Sequence, residues 1–113
     1  MNCLAIDIGG ANLKAADGHG FAASRPFAVW RHLERLSAEL TQLLEAAPPC
    51  DSLAVTMTAE LADCFETKAE GVRQILDAVE AAASGRAIHV YQVDGELVGV
   101  EASRKTPLLA AAS

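Results

Sequence analysis

Short apolar runs alternate along the chain with two longer stretches of helical spacing. Leu4, Ala5, Ile6 and Ile8 form a run broken by one acid, Asp7, and predict a buried strand. Leu13 to Ala16 predicts a second strand, Asp17-Gly18-His19-Gly20 a turn, and Phe21 to Val29 a third strand. Pro26 confines that third strand to a sheet edge or ends it early, because it offers no N–H to a ladder. Leu33, Leu36, Leu40, Leu43 and Leu44 then fall on one helical face, and Pro48-Pro49 stops the helix. This stripe is too short for a sustained heptad, so it reads as core and not as a zipper.

Ser52 to Met57 predicts another strand. A second helix opens at the capping pattern Thr67-x-x-Glu70, carries Val72, Ile75, Leu76, Val79 and Ala83 on its apolar face, and ends at Gly85. Gly71 in its first turn weakens it by up to about 1 kcal/mol relative to Ala. Ala87 to Val93 reads as a further strand, Asp94-Gly95 as a turn, and Glu96 to Val100 as a short return strand. Residues 102–113 predict a final helix, with Pro107 near its start. The order is β-β-β-α-β-α-β and then the beginning of a helix: an α/β domain, a meander followed by crossover units, with a mixed sheet and flanking helices.

The 113 residues suffice for one core and fall below the size at which chains usually divide. Hydrophobic residues at 51% argue against disorder, and aromatics at 4% require an aliphatic core. A net charge of −6 disfavours nucleic-acid and acidic-membrane binding, but leaves room for an anionic small ligand at a local site. There is no apolar run of membrane-spanning length and no signal-peptide pattern, so a cytoplasmic location is expected. Cys3, Cys50 and Cys64 have no metal-ligand spacing and are expected to be reduced, mostly buried thiols. His19, His32 and His89 show no ligand spacing either.

The candidate chemistry begins at Asp7-Ile-Gly-Gly-Ala-Asn-Leu-Lys14. An ionised Asp in an apolar run is costly without a partner. Gly9 and Gly10 leave backbone N–H groups uncovered, and Lys14 returns a positive charge. The set offers a carboxylate for Mg²⁺, a turn for phosphate oxygens and a nearby cation. A plain β-hairpin, with Asp7 bonding its own turn, explains the same residues about as well on local chemistry. The order Asp-x-Gly-Gly-x-x-x-Lys resembles the first phosphate motif of the actin/Hsp70/sugar-kinase superfamily. The resemblance implies a ribonuclease-H-like half-domain of the actin-like ATPase fold, in which two related domains clamp a phosphorylated ligand.

A second cluster follows the strand that ends at Met57. The stretch from Thr56 to Gly71 holds three hydroxyls, four carboxylates and Lys68, beside the carboxyl edge where ligands of α/β sheets gather. Singly, each residue reads as part of a capped, solvated helix start; as a group, Thr58, Glu60, Asp63 and Lys68 form a candidate catalytic cluster.

Asp7 to Lys14, Val55 to Cys64 and Thr67-Lys-Ala-Glu-Gly71 together resemble a hydantoinase/oxoprolinase-related family. That family is linked to tetrahydromethanopterin-dependent C1 transfer and, in archaeal members, to methanofuran biosynthesis. Its members run to about three times this length, far above what one core serves. They also carry a second Asp-x-Gly motif in a later domain, which this sequence lacks. The resemblance therefore implies that residues 1–113 are a single N-terminal subdomain whose partner is its own C-terminal domain.

The activity so implied is an alkyl transfer, in which a furan-methyl diphosphate condenses with a tyramine- or tyrosine-type phenol and releases pyrophosphate. Gly9, Gly10, Ala11, Asn12 and Lys14 would bind the phosphates, Asp7 would hold Mg²⁺, and Glu60, Asp63 and Lys68 would be catalytic. Two alternatives stay open: an ATP-dependent kinase or hydantoinase/oxoprolinase-like hydrolase, and a non-catalytic domain that binds a ligand, a partner or a second copy of itself.

Overall fold

A computed structural model describes residues 2–29, 31–58 and 66–110. Glu60, Asp63 and Cys64 lie outside these described residues.

Six strands form one mixed sheet. Strands β1 (Cys3–Ile8), β2 (Asn12–Ala16) and β3 (Ala22–Pro26) make an antiparallel meander. Helix α1 (Leu36–Ala46), entered through a 3₁₀ turn at Leu33–Arg35, leads to β4 (Ser52–Met57), which pairs parallel with β1. Helix α2 (Lys68–Ala83) crosses to β5 (Ala87–Tyr91), parallel to β4, and β6 (Leu97–Gly99) turns back antiparallel. The strand order is β3-β2-β1-β4-β5-β6. β3 is an edge strand that ends at Pro26, as the missing N–H requires.

The core lies on one side of the sheet. Leu4, Ile6 and Ile8 of β1, Leu13 of β2, Leu53, Val55 and Met57 of β4 and Val90 of β5 join Leu36, Leu40, Leu43, Val72, Ile75, Leu76 and Val79 of the two helices in one buried cluster. Period-2 alternation along the strands meets period-3.6 spacing along the helices, so a single aliphatic layer satisfies both. Arg25 fastens the meander to α1: its Nη2 donates to Gln42 Oε1 at 2.8 Å and lies 3.7 Å from Glu39.

Thr67 caps α2, its hydroxyl accepting from Glu70 N at 3.0 Å. The reciprocal half of the capping box is replaced, because the Glu70 carboxylate accepts from Gln74 Nε2 instead. Ser84 and Gly85 close the helix in the left-handed region.

Three sequence expectations need correction. β1 is half-buried, not buried on both sides, since its odd-numbered side chains face away from the helices. Cys3 is accordingly exposed and Cys50 only half-buried. The last helix precedes Pro107: α3 spans Val100–Lys105, followed by a 3₁₀ turn over Pro107–Ala110. The residue before a proline is driven out of the helical region, and Thr106 sits at φ −131°, ψ 62°. Arg104 holds α3 to α2 through Glu80 at 2.6 Å and Asp77 at 2.7 Å.

No described helix is long and apolar enough to cross a membrane.

Candidate functional site

The side of the sheet away from the helices is open, and the candidate residues lie along it. Register places Asp7 opposite Lys14 on one side and Thr56 on the other, while Lys14 faces Ser24. A polar row, Ser24–Lys14–Asp7–Thr56, therefore crosses four adjacent strands. Neighbouring strands are about 4.8 Å apart, so the row spans roughly 14 Å, with Lys14 and Asp7 adjacent at its centre. Sequence reasoning singled out Asp7 and Lys14 but not Ser24. The signal for Ser24 was present, because the tight turn at Asp17–Gly20 fixes the β2–β3 register.

An ionised Asp7 within an apolar run is costly when it is buried without a partner. The structure removes most of that cost by leaving the side chain partly solvated on the open face. Among the described residues no ion pair or hydrogen bond engages either the Asp7 carboxylate or the Lys14 ammonium. Two opposite charges on adjacent strands are thus both available to a ligand.

The turn that follows β1 combines the two sequence readings. It is a hairpin connection, closed by Gly9 N donating to Asn12 O at 3.0 Å. That bond commits the Gly9 N–H to the fold, so this group is no phosphate donor. Ala11 O is likewise used, accepting from Phe27 N at 2.9 Å. The N–H groups of Gly10 and Ala11 remain without a partner among the described residues.

The two glycines have different reasons to be glycine, and neither reason is a left-handed backbone. A Cβ on Gly9 would stand 3.3 Å from Asn12 O and 3.6 Å from Thr58 Oγ1, so close packing holds that position. A Cβ on Gly10 would meet nothing within 4 Å. Within the chain, nothing requires a bare backbone at Gly10.

The carboxyl end of β4 meets the same turn. Thr58 N donates to Ile8 O at 2.9 Å, which sets Thr58 beside Gly9. Because α2 joins two parallel strands, its N-terminus returns to this carboxyl edge, bringing exposed Lys68 to the same end of the sheet as the turn. Glu60 and Asp63, the proposed acid–base pair, fall outside the described residues. No cluster of three or more metal-ligating side chains occurs among the described residues.

Beyond the polar row the open face is apolar. A concavity of about 880 Å³ lies over it, bordered by Asp7, Lys14, Ser24 and Thr56 at one level and floored by alanines, with Tyr91 and Leu97 at the β5–β6 end.

Comparison with known proteins adds two findings. The family model described as hydantoinase/oxoprolinase matches residues 51–113. The chain is also 37% identical over 113 aligned residues to the (4-{4-[2-(γ-L-glutamylamino)ethyl]phenoxymethyl}furan-2-yl)methanamine synthase of Methanocaldococcus jannaschii. That alignment takes in 97% of this chain but 33% of the relative, so the chain spans about a third of the relative's length.

Proposed function

Because the chain belongs to the hydantoinase/oxoprolinase family, we propose that it is the N-terminal phosphate-binding part of a transferase that joins a furan-methyl diphosphate to a phenol. The relative's name describes a phenoxymethyl-furan ether. Forming such an ether by substitution requires a phenolic oxygen to displace a leaving group from a furan-bound CH₂. The phenol loses its proton to a base, the phenolic O–CH₂ bond forms, the bond between CH₂ and the diphosphate oxygen breaks, and pyrophosphate departs with that oxygen and the electron pair.

One observation carries the phosphate reading: the uncovered N–H groups of Gly10 and Ala11 lie at the tip of the same hairpin that carries Lys14 and Asp7, three residues along its strands, with neither side chain paired among the described residues. In this reading the two N–H groups and Lys14 bind the diphosphate, and their fixed positive ends offset the charge that grows on the departing pyrophosphate. Gly9 shapes the turn, and Asn12 closes it through its carbonyl.

Asp7 is a single partly solvated carboxylate, which fits the donor set of Mg²⁺, an ion commonly held by one or two carboxylates together with substrate phosphates and waters. When bound, the ion would supply further neutralisation of the diphosphate. Glu60 or Asp63 takes the phenolic proton in this scheme, and Lys68 adds charge at the same edge. A free phenol has a pKa of about 10 and needs such a base near neutral pH.

The strand order, a three-strand meander followed by two parallel crossovers, supports a ribonuclease-H-like half of an actin-like fold. The other half of the clamp then comes from the protein's own C-terminal domain. The relative's threefold greater length supports that arrangement.

The match to a family described as hydantoinase/oxoprolinase favours a second reading, an ATP-driven hydrolase or kinase using the same turn. One assay separates the two. The full polypeptide is supplied with a furan-methyl diphosphate and tyramine, and pyrophosphate and ether are quantified with and without ATP. Ether formed without ATP supports the transferase, and product that depends on ATP overturns it.

A further inference from the structure

The chain has five threonines, Thr41, Thr56, Thr58, Thr67 and Thr106. Three of them use their hydroxyls on nearby backbone. Thr41 Oγ1 donates to Ser37 O, Thr106 Oγ1 donates to Ala102 O, and Thr67 Oγ1 accepts from Glu70 N. Thr58 differs. Its backbone is fixed, since Thr58 N donates to Ile8 O at 2.9 Å. Its side chain is half-buried, and its hydroxyl has no hydrogen-bond partner among the described residues. Polar groups withdrawn from solvent are ordinarily paired, so this one is open to a partner from outside the chain.

Position decides what that partner is. Thr58 Oγ1 lies 3.6 Å from the point that a Gly9 Cβ would take, and no other Thr58 atom comes within 4 Å of it. The side chain therefore turns its oxygen, and not its methyl, toward the turn after β1. Gly10 N is two bonds from Gly9 Cα, which puts it no more than about 7.5 Å from the hydroxyl. Hydrogen bonds of about 2.8 Å from each donor to an anion close most of that separation. The oxygens of one diphosphate span the rest.

We infer that Thr58 is a further donor to the diphosphate. Its hydroxyl binds a phosphoryl oxygen from the β4 side, while the Gly10 and Ala11 N–H groups bind from the tip of the hairpin. The inference rests on the phosphate reading of that turn and adds to it a binding residue from a different strand. β1 and β4 stay in register up to Ile8 and Met57, so the hydroxyl and the turn are held at a fixed separation. Donors preorganised in this way stabilise charge without moving as it develops.

The test uses the full polypeptide with inorganic pyrophosphate as the probe. Thr58→Val removes the oxygen and keeps a branched side chain suited to a strand, whereas Thr58→Ser keeps the oxygen. Calorimetric titration is expected to show pyrophosphate weakened by about tenfold or more in Thr58→Val and kept within about threefold in Thr58→Ser. The loss should be the same with and without Mg²⁺. The Gly10 and Ala11 amide resonances should keep their parental positions in the free variants and still move when pyrophosphate is added.

Parental affinity in Thr58→Val overturns the inference, and so does an equal loss in Thr58→Ser, which would assign the effect to packing. A loss confined to titrations with Mg²⁺ overturns it too, because the hydroxyl would then serve the ion. Ether formation is scored separately. A full polypeptide that makes no ether, yet shows the contrast between valine and serine, removes the transferase reading and leaves Thr58 as an anion donor. Ether formed by Thr58→Val with parental pyrophosphate affinity removes Thr58 and leaves the transfer standing.

Discussion

Asp7 and Lys14 face each other across the β1–β2 ladder, yet no ion pair joins their side chains. Opposite charges in such register commonly pair, gaining a few tenths of a kcal/mol. Here each is left to solvent on the open face. Removing either should therefore change stability by no more than about 0.5 kcal/mol, as for other surface substitutions. If the proposed transfer takes place, Asp7→Ala in the full polypeptide is expected to abolish pyrophosphate release, and Lys14→Gln to reduce it strongly, at unchanged melting temperature. Wild-type turnover in Asp7→Ala would sink the assignment.

The two glycines of the turn should respond in opposite ways. Gly9→Ala presses a Cβ to 3.3 Å from the Asn12 carbonyl oxygen, and a cost of about 1 kcal/mol is expected. Gly10→Ala meets nothing within 4 Å and keeps a backbone outside the left-handed range. It should stabilise by roughly 0.4–1 kcal/mol by restricting the unfolded chain. If phosphate approaches the bare backbone at Gly10, the same change weakens pyrophosphate binding by about tenfold. Chemical denaturation and calorimetric titration of the two variants check both halves. Unaltered pyrophosphate affinity in Gly10→Ala would show that the anion sits elsewhere.

The contrast between these glycines also marks how far the sequence could be read. Leu36, Leu40, Leu43 and Leu44 identified α1 because a 3.6 period survives in the order of residues alone, and all four are buried. Pro26 placed β3 at an edge through its missing N–H. The polar row was different: a local turn sets Ser24 opposite Lys14, but Thr56 joins Asp7 only through the β1–β4 register, which depends on contacts between distant segments. The open face was hidden for the same reason. The run at Leu4–Ile8 looks continuous because Ala5 counts as apolar, yet Ala5 points away from the core. Pro107 misled because proline suits either side of a helix boundary. Here α3 ends just before it.

Ser103 lies on α3 with its hydroxyl fully buried and without a hydrogen-bond partner among the described residues. A buried hydroxyl left unsatisfied costs about 1–3 kcal/mol, and alanine is the better helix former. Ser103→Ala should therefore raise stability by about 1 kcal/mol. Urea denaturation would register it as a higher midpoint at constant slope. A lower midpoint would mean that the hydroxyl has a partner.

The Asp17 turn should make stability depend on acid. Its Oδ1 accepts from His19 N at 2.7 Å and from Phe21 N at 3.0 Å, closing the link between β2 and β3. The His19 N–H is the main reason its pKa falls below the ordinary carboxylate value of 3.8, with the Phe21 N–H adding to it. A carboxyl with a lower pKa in the folded state binds fewer protons there than in the unfolded chain. Its contribution is fully present above the unfolded value and is lost as pH falls through the folded one. Asp17→Ala removes that contribution. The stability difference between parent and variant should be constant from pH 7 down to about pH 5, and shrink steadily below about pH 4. Denaturation midpoints of both proteins across this range decide it. A difference that stays flat down to pH 2 would mean that hydrogen bonds to the ionised carboxylate do not hold the turn.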